Sequence, residues 1–241
     1  MSWLRRQGMT SAWTKQVTHM AEVSPAAPLQ AIVKGHATQG GGDRMFLGPY
    51  QYFIIDTLTI ESGVSIYGIP GKTEIIKVVS SADKSIAGDF AAGDLGPVVI
   101  LEGNARLVDC KVNLLLPTGY SFAQDSSTLI TPSDATGTAT GRTDDNSVVV
   151  LNGTRARMEG CLLPEGDRRG VVVKADDGIL LGNEIEHDQT KLNTSIYIND
   201  AVDNTLVNGN WTNSASTAGA ISYLGSTTQW ISGNLANVIS R

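Results

Sequence analysis

The densest cluster of ionisable side chains in this 241-residue chain is Glu184-Ile185-Glu186-His187-Asp188. If the segment is a strand, alternation turns Glu184 and Glu186 to one outward face, where paired carboxylates could do acid/base work. A solvated strand face looks the same. Glu165-Gly166-Asp167-Arg168-Arg169 reads as a charged turn. Gly71-Lys72-Thr73 invites a phosphate-loop reading, but that motif requires a glycine where this chain has Ile66, and a helix behind it. His19, His36 and His187 are scattered, without metal-ligand spacing or triad partners. Asn152, Asn193 and Asn210 each head an Asn-x-Ser/Thr triplet, which means little without export. No residue set here implies a catalytic centre, a metal or a cofactor.

The elements that carry these residues follow from a repeat. Four apolar tetrads, Val98-Val99-Ile100-Leu101, Val148-Val149-Val150-Leu151, Val171-Val172-Val173-Lys174 and Ile196-Tyr197-Ile198-Asn199, read as short strands, with a more polar fifth at Ile221-Ser222-Tyr223-Leu224. Each precedes a small-residue pair: Asp109-Cys110, Gly160-Cys161, Gly182-Asn183, Gly209-Asn210 and Gly233-Asn234. The gaps from tetrad end to Cys or Asn are 9, 10, 9, 11 and 10 residues, and successive Cys/Asn positions are 51, 22, 27 and 24 apart. A period of about 22 to 27 residues, built from strands with Gly and Asn corners, fits a parallel β-solenoid whose coils stack at about 4.8 Å. Gly or Asp at each corner admits dihedrals that branched residues resist. The next slot, Cys110, Cys161, Asn183, Asn210 and Asn234, then forms an internal ladder of stacked side chains. Cys110 and Cys161 read as small, reduced, buried members of that ladder.

Composition agrees with this. The chain has 26 Gly, 41% hydrophobic residues, only 17% charged and 6% aromatic, and its charge is −6 from 18 Lys+Arg and 24 Asp+Glu. The acidic balance argues against a nucleic-acid partner. No apolar run approaches membrane-spanning length, and the start shows no signal-peptide core. The 51-residue gap holds a Ser/Thr/Gly-rich stretch, 117–146, read as an excursion from the solenoid, or as a hidden degenerate coil. Residues 1–25 differ in kind, carrying +2 and leaving −8 for the rest. Trp13, Val17, Met20 and Ala21 share one face of a short helix. That helix either caps the open end of the solenoid or belongs to a docking arm made of Trp3, Arg5, Arg6, Trp13, Lys15, Val17 and Met20.

The passage from Asp43 to Ile76 resembles the opening coils of the pectin-lyase-like right-handed parallel β-helix superfamily. It carries a Gly42-Asp43 pair, the Gly48-Pro49-Tyr50 turn, then Leu58-Thr59-Ile60-Glu61-Ser62-Gly63-Val64-Ser65-Ile66-Tyr67-Gly68 and Thr73-Glu74-Ile75. With the later corners, the resemblance covers about residues 43 to 237. It implies an all-β solenoid over 26–241 behind the arm at 1–25. The enzymes of this superfamily are polysaccharide lyases and hydrolases with acidic and basic residues on an outer sheet face. Placing Val98 and Ile100 inward leaves Val99, Leu101, Val149, Leu151 and Val172 as an outward aliphatic stripe, which a soluble protein must cover. Six or seven coils make a rod of roughly 30 Å, short for a polysaccharide-gripping spike. Trimers that cover such a stripe are typical of the phage virion proteins of this superfamily, so the resemblance implies a non-enzymatic virion protein: a homotrimeric capsid decoration protein, made in the host cytoplasm, docked on the major capsid protein through its arm. The rival is a tailspike-like protein that binds or depolymerises a glycan, using Glu184, Glu186 and nearby basic residues.

Overall fold

The computed structural model describes residues 28–37, 42–78, 89–90, 97–115, 121–122, 147–164, 169–186, 195–199, 202–212, 221–223, 229–234 and 238–240. Helix α1 (Leu29–Ala37) leads into β1 (Arg44–Phe46), β2 (Gln51–Ile54), β3 (Leu58–Ile60), β4 (Ser65–Tyr67) and β5 (Glu74–Val78). There follow β6 (Asp89–Phe90), β7 (Val99–Leu101), β8 (Arg106–Val108), β9 (Lys111–Leu115), β10 (Ser121–Phe122), β11 (Ser147–Leu151), β12 (Arg157–Glu159) and β13 (Leu162–Leu163). The chain continues through β14 (Arg169–Val173), β15 (Ile179–Leu181), β16 (Glu184–Ile185), β17 (Ile196–Ile198), β18 (Leu206–Asn208), β19 (Trp211–Thr212), β20 (Ile221–Tyr223), β21 (Trp230–Ser232) and β22 (Val238–Ser240).

Every pairing is parallel, and each strand pairs with its equivalents one coil away. Sheet I runs β3-β7-β11-β14-β17-β20-β22, sheet II runs β1-β4-β8-β12-β15-β18-β21, and sheet III runs β2-β5-β9-β13-β16-β19. The chain visits I, II and III in turn and climbs one rung per circuit. This is a right-handed parallel β-helix. Equivalent sheet II residues Met45, Ile66, Leu107, Met158, Leu180 and Val207 are buried in a single core column. The two long coils, from Ile66 to Leu107 and from Leu107 to Met158, both lengthen between sheets III and I. There β6 and β10 pair as a small parallel ribbon. Only β10 of the 117–146 stretch, and none of the arm 1–25, lies within the described residues.

The first coil would leave the outer edge of β3 unpaired, a hazard for any sheet. Helix α1 deals with it. Leu29 and Val33 enter the core, while the Gln30 amide replaces a neighbouring strand: Thr59 N donates to Gln30 Oε1 at 2.7 Å, and Gln30 Nε2 donates to Thr59 O at 3.1 Å. The capping helix of the described residues is therefore at 29–37, within the stretch 26–241 expected to be solenoid. Leu29, Ile32, Val33 and His36, behind Pro28, carry the helical spacing that marks it.

Candidate functional site

The corner between sheets II and III orients everything placed on those two faces. Asp109, Gly160, Gly182, Gly209 and Gly233 all have positive φ, between 55° and 66°. At Gly160 a β-carbon would also meet Asp109 Oδ1 at 2.4 Å. The following slot forms the ladder. Cys161 N donates to Asn183 Oδ1 (3.0 Å), Asn183 N to Asn210 Oδ1 (3.0 Å) and Asn210 N to Asn234 Oδ1 (2.8 Å). The amide nitrogens of Asn183, Asn210 and Asn234 donate in turn to Met158 O, Leu180 O and Val207 O. Cys110 and Cys161 are free thiols buried at the top of this stack. Burial drives both thiols upward, Cys161 to about 12, so neither is a nucleophile.

With the ladder slot inside, the residue after it faces out on sheet III. Those positions are Lys111, Leu162, Glu184 and Trp211, each in register with the next. Ile185 lies in the core, so Glu184 and Glu186 flank it on the outer side. Successive ladder bonds, Glu184 N to Cys161 O and Glu186 N to Leu163 O, hold that parity. Two residues along a strand separate their α-carbons by about 6.7 Å. Glu184 is exposed, and Trp211, one rung along, is 38% exposed. Neither glutamate side chain has an ion-pair partner among the described residues. His187 and Asp188 lie outside them, as do the side chains of 165–169 and residue Asn193.

Farther along the same face sits a carboxylate of the opposite kind. Glu74 is buried, accepting from Gln51 Nε2 at 2.9 Å and Asn113 Nδ2 at 3.2 Å, and pairing with Lys111 Nζ at 2.9 Å. Burial pushes its carboxyl upward, but the three donors together outweigh this and hold it below its usual range. Such a group stays ionised and occupied. It braces the sheet, with both of its oxygens engaged by neighbouring donors.

Several sequence expectations are relocated. Val99, Leu101, Val149 and Leu151 do not face outward: they line the interior, in register with Leu58 and Ile60. The outward row of sheet I is Thr59, Ile100, Val150, Val172 and Tyr197. The frame is off by one because Val-Val-Ile-Leu is apolar at every position, and a one-residue slip exchanges the faces. The tetrads also pair out of step, Val171 opposite Val149 and not Val148. Val150 and Val172 do point outward, yet they are only 2% and 1% exposed in the single chain. Among the described residues, sheet I presents no bare aliphatic stripe for a trimer to cover. Gly71-Lys72-Thr73 forms the turn before β5, where the Thr73 hydroxyl accepts from Ile69 N and donates to Gly48 O, both at 2.8 Å. Asn210 is buried in the ladder, while Asn152 is exposed and donates to Glu102 Oε1 at 3.0 Å.

The missed participant is Trp211. Its signal was in the repeat: it follows its ladder slot just as Lys111 and Glu184 follow theirs.

No protein-family model matches the chain, and no curated protein sequence does. Among solved structures, a Parabacteroides merdae ATCC 43184 protein proposed to be a glycosyl hydrolase aligns over 93% of this chain and 94% of its own. The identity is 12% and the TM-score 0.51, which shows the fold. The A-module of the Azotobacter vinelandii mannuronan C-5 epimerase AlgE6 aligns over 86% of this chain and 72% of its own, at 12% identity. Its TM-score of 0.31 carries no argument. The class defined is thus a parallel β-helix protein. The expectation of a non-enzymatic protein is corrected by the first of these matches: the fold recurs, nearly end to end, in a protein proposed to hydrolyse glycosidic bonds.

Proposed function

We propose that this β-helix acts on a polysaccharide, with Glu184 and Glu186 as the reacting carboxylates and Trp211 as a platform for a sugar ring. The reading keeps the resemblance to the pectin-lyase-like superfamily and drops the virion role. The observation that carries it is the outer face of β16. Two carboxylates share one side of a strand about 6.7 Å apart at the backbone, and an exposed indole stands in register with the first. Inverting glycosidases hold their carboxyl groups roughly 6.5 to 9.5 Å apart, leaving room for a water between base and sugar. One carboxyl protonates the leaving oxygen while the other activates that water. Indole faces bury the apolar side of a sugar while the ring edges keep their hydroxyls in solvent.

A reducing-end assay over a panel of neutral and acidic polysaccharides tests this. The proposal expects release from at least one polymer, with Glu184→Gln and Glu186→Gln each reducing the rate by about a hundredfold or more. Undiminished activity in both variants, or no release from any polymer, overturns it.

A further inference from the structure

The outer face of sheet II is unlike the rest of this acidic molecule. Met45, Ile66, Leu107 and Met158 point inward, so the residues on either side of each point outward. One outward row reads Arg44, Ser65, Arg106, Arg157 and the other Phe46, Tyr67, Val108, Glu159. Three arginines therefore face a single carboxylate, giving the strip +2 on a chain of −6. Glu159 is taken by Arg157 Nε. Arg44 and Arg106 are exposed and have no ion-pair partner among the described residues.

Sheets ordinarily place opposite charges across a rung, because like charges there repel. Arg106 and Arg157 break that habit one rung apart, about 4.8 Å, and Arg44 lies two rungs further, about 10 Å. Beside them Phe46 and Tyr67 stack ring on ring, centroids 5.2 Å apart and planes 22° apart, which leaves a flat aromatic margin. Burial and the neighbouring Arg106 both push the Arg157 guanidinium downward. Glu159 balances Arg157, which leaves Arg44 and Arg106 as uncompensated cations beside that apolar margin.

We infer that the outer face of sheet II binds a linear anionic polysaccharide along the helix axis, its acid groups on Arg44 and Arg106. Guanidinium forks match carboxylate and sulfate oxygens in bidentate geometry. The Phe46–Tyr67 pair offers its outer surface to sugar rings. It leaves no gap between the rings for a nucleobase to enter, and the −6 of the whole chain opposes a densely charged nucleic acid. That the ligand is a glycan rests on the carbohydrate reading above, whereas the anion site rests on the arginine row. The strip is separated from Glu184 and Glu186 by the asparagine corner, so it anchors the polymer and does not cleave it.

Isothermal titration of the whole protein with polygalacturonate, dextran sulfate, dextran and single-stranded DNA tests the inference. Wild type is expected to bind the two anionic glycans, more weakly as salt rises, and to ignore dextran. The Arg44→Gln/Arg106→Gln double variant should bind roughly tenfold more weakly or worse. Arg155→Gln, which removes an arginine already paired with Asp177 at another corner, should change affinity less than about twofold. Unchanged affinity in the double variant overturns the inference, as does equal binding of dextran, tighter binding of DNA, or no binding of any polymer. Arginine-dependent binding without any glycan cleavage would remove only the catalytic proposal. Cleavage with arginine-independent binding would remove only this one.

Discussion

Replacing Asn210 by alanine removes the middle asparagine of the ladder and leaves its neighbours worse off than the residue itself. The Asn210 carboxamide oxygen accepts from both Asn183 N (3.0 Å) and Asn183 Nδ2 (2.8 Å), and its nitrogen donates to Leu180 O (3.1 Å). Asn183 and Asn210 are both about 1% exposed, so water does not readily replace these partners. Asn183 N is left with no acceptor, and Asn183 Nδ2 keeps only Met158 O. A buried group stranded in this way costs about 1–3 kcal/mol. With one donor fully orphaned and a donor and a carbonyl partly so, Asn210→Ala should lose about 3–5 kcal/mol. That is a large part of the roughly 5–15 kcal/mol that holds a typical domain together. Urea unfolding followed by circular dichroism gives the number, and Cys161→Ala is the control. Cys161 Sγ donates only weakly, to Glu159 O at 3.3 Å, so its loss should cost clearly less. An Asn210→Ala loss below about 1 kcal/mol, or one no larger than that of Cys161→Ala, would refute the claim that the ladder matters through amides stranded next door.

Three other outcomes follow from the same geometry. Gln30→Ala should destabilise by about 1–2 kcal/mol, since it strips both edge bonds from Thr59, and hydrogen exchange should speed up at Thr59 N before any interior amide. Glu74→Gln should destabilise most at neutral pH. The folded carboxyl is held below its unfolded value, so its contribution is complete above the unfolded range and is lost as pH falls through the folded one. The gap between wild type and variant in a denaturation series should therefore close on acidification, and a gap that widens there contradicts the assignment. Cys110 and Cys161 should resist alkylation in the native protein at pH 8 and react at once in denaturant, because burial holds both thiols protonated.

The corners of this fold are legible in its sequence because their physics tolerates few residues. Positive φ after the last five sheet II strands selects Gly or Asp, and the buried slot behind it selects Asn or a small side chain, so five pairs stand out at once. The faces are harder. In Val148-Val149-Val150-Leu151 every residue is apolar, so no alternation exists to separate Val149 inside from Val150 outside. Counting forward from the corner sets the parity that the tetrads hide, and it is the route by which Glu184, Trp211 and Arg106 come to face solvent. The other positive-φ row, Gly63, Asn104, Arg155, Asp177 and Asn204, escapes notice because Arg155 breaks the compositional pattern. Of the candidate site, the Glu184 and Glu186 pair could be read from alternation alone. Its partnership with Trp211 could not, because 27 residues separate Glu184 from Trp211 and only the coil register brings them together. Helix α1 was hidden by position, between an atypical N-terminus and the first recognisable coil.

The proposed reaction is cleavage of a glycosidic bond at the outer face of β16. Proton NMR of the fresh products of the best substrate reads the anomeric configuration before mutarotation scrambles it. Inverted product from wild type, released about a hundredfold or more slowly by Glu184→Gln, is the result expected of two carboxyl groups that keep the spacing of their backbones. Retained configuration, or unchanged turnover in Glu184→Gln, contradicts it.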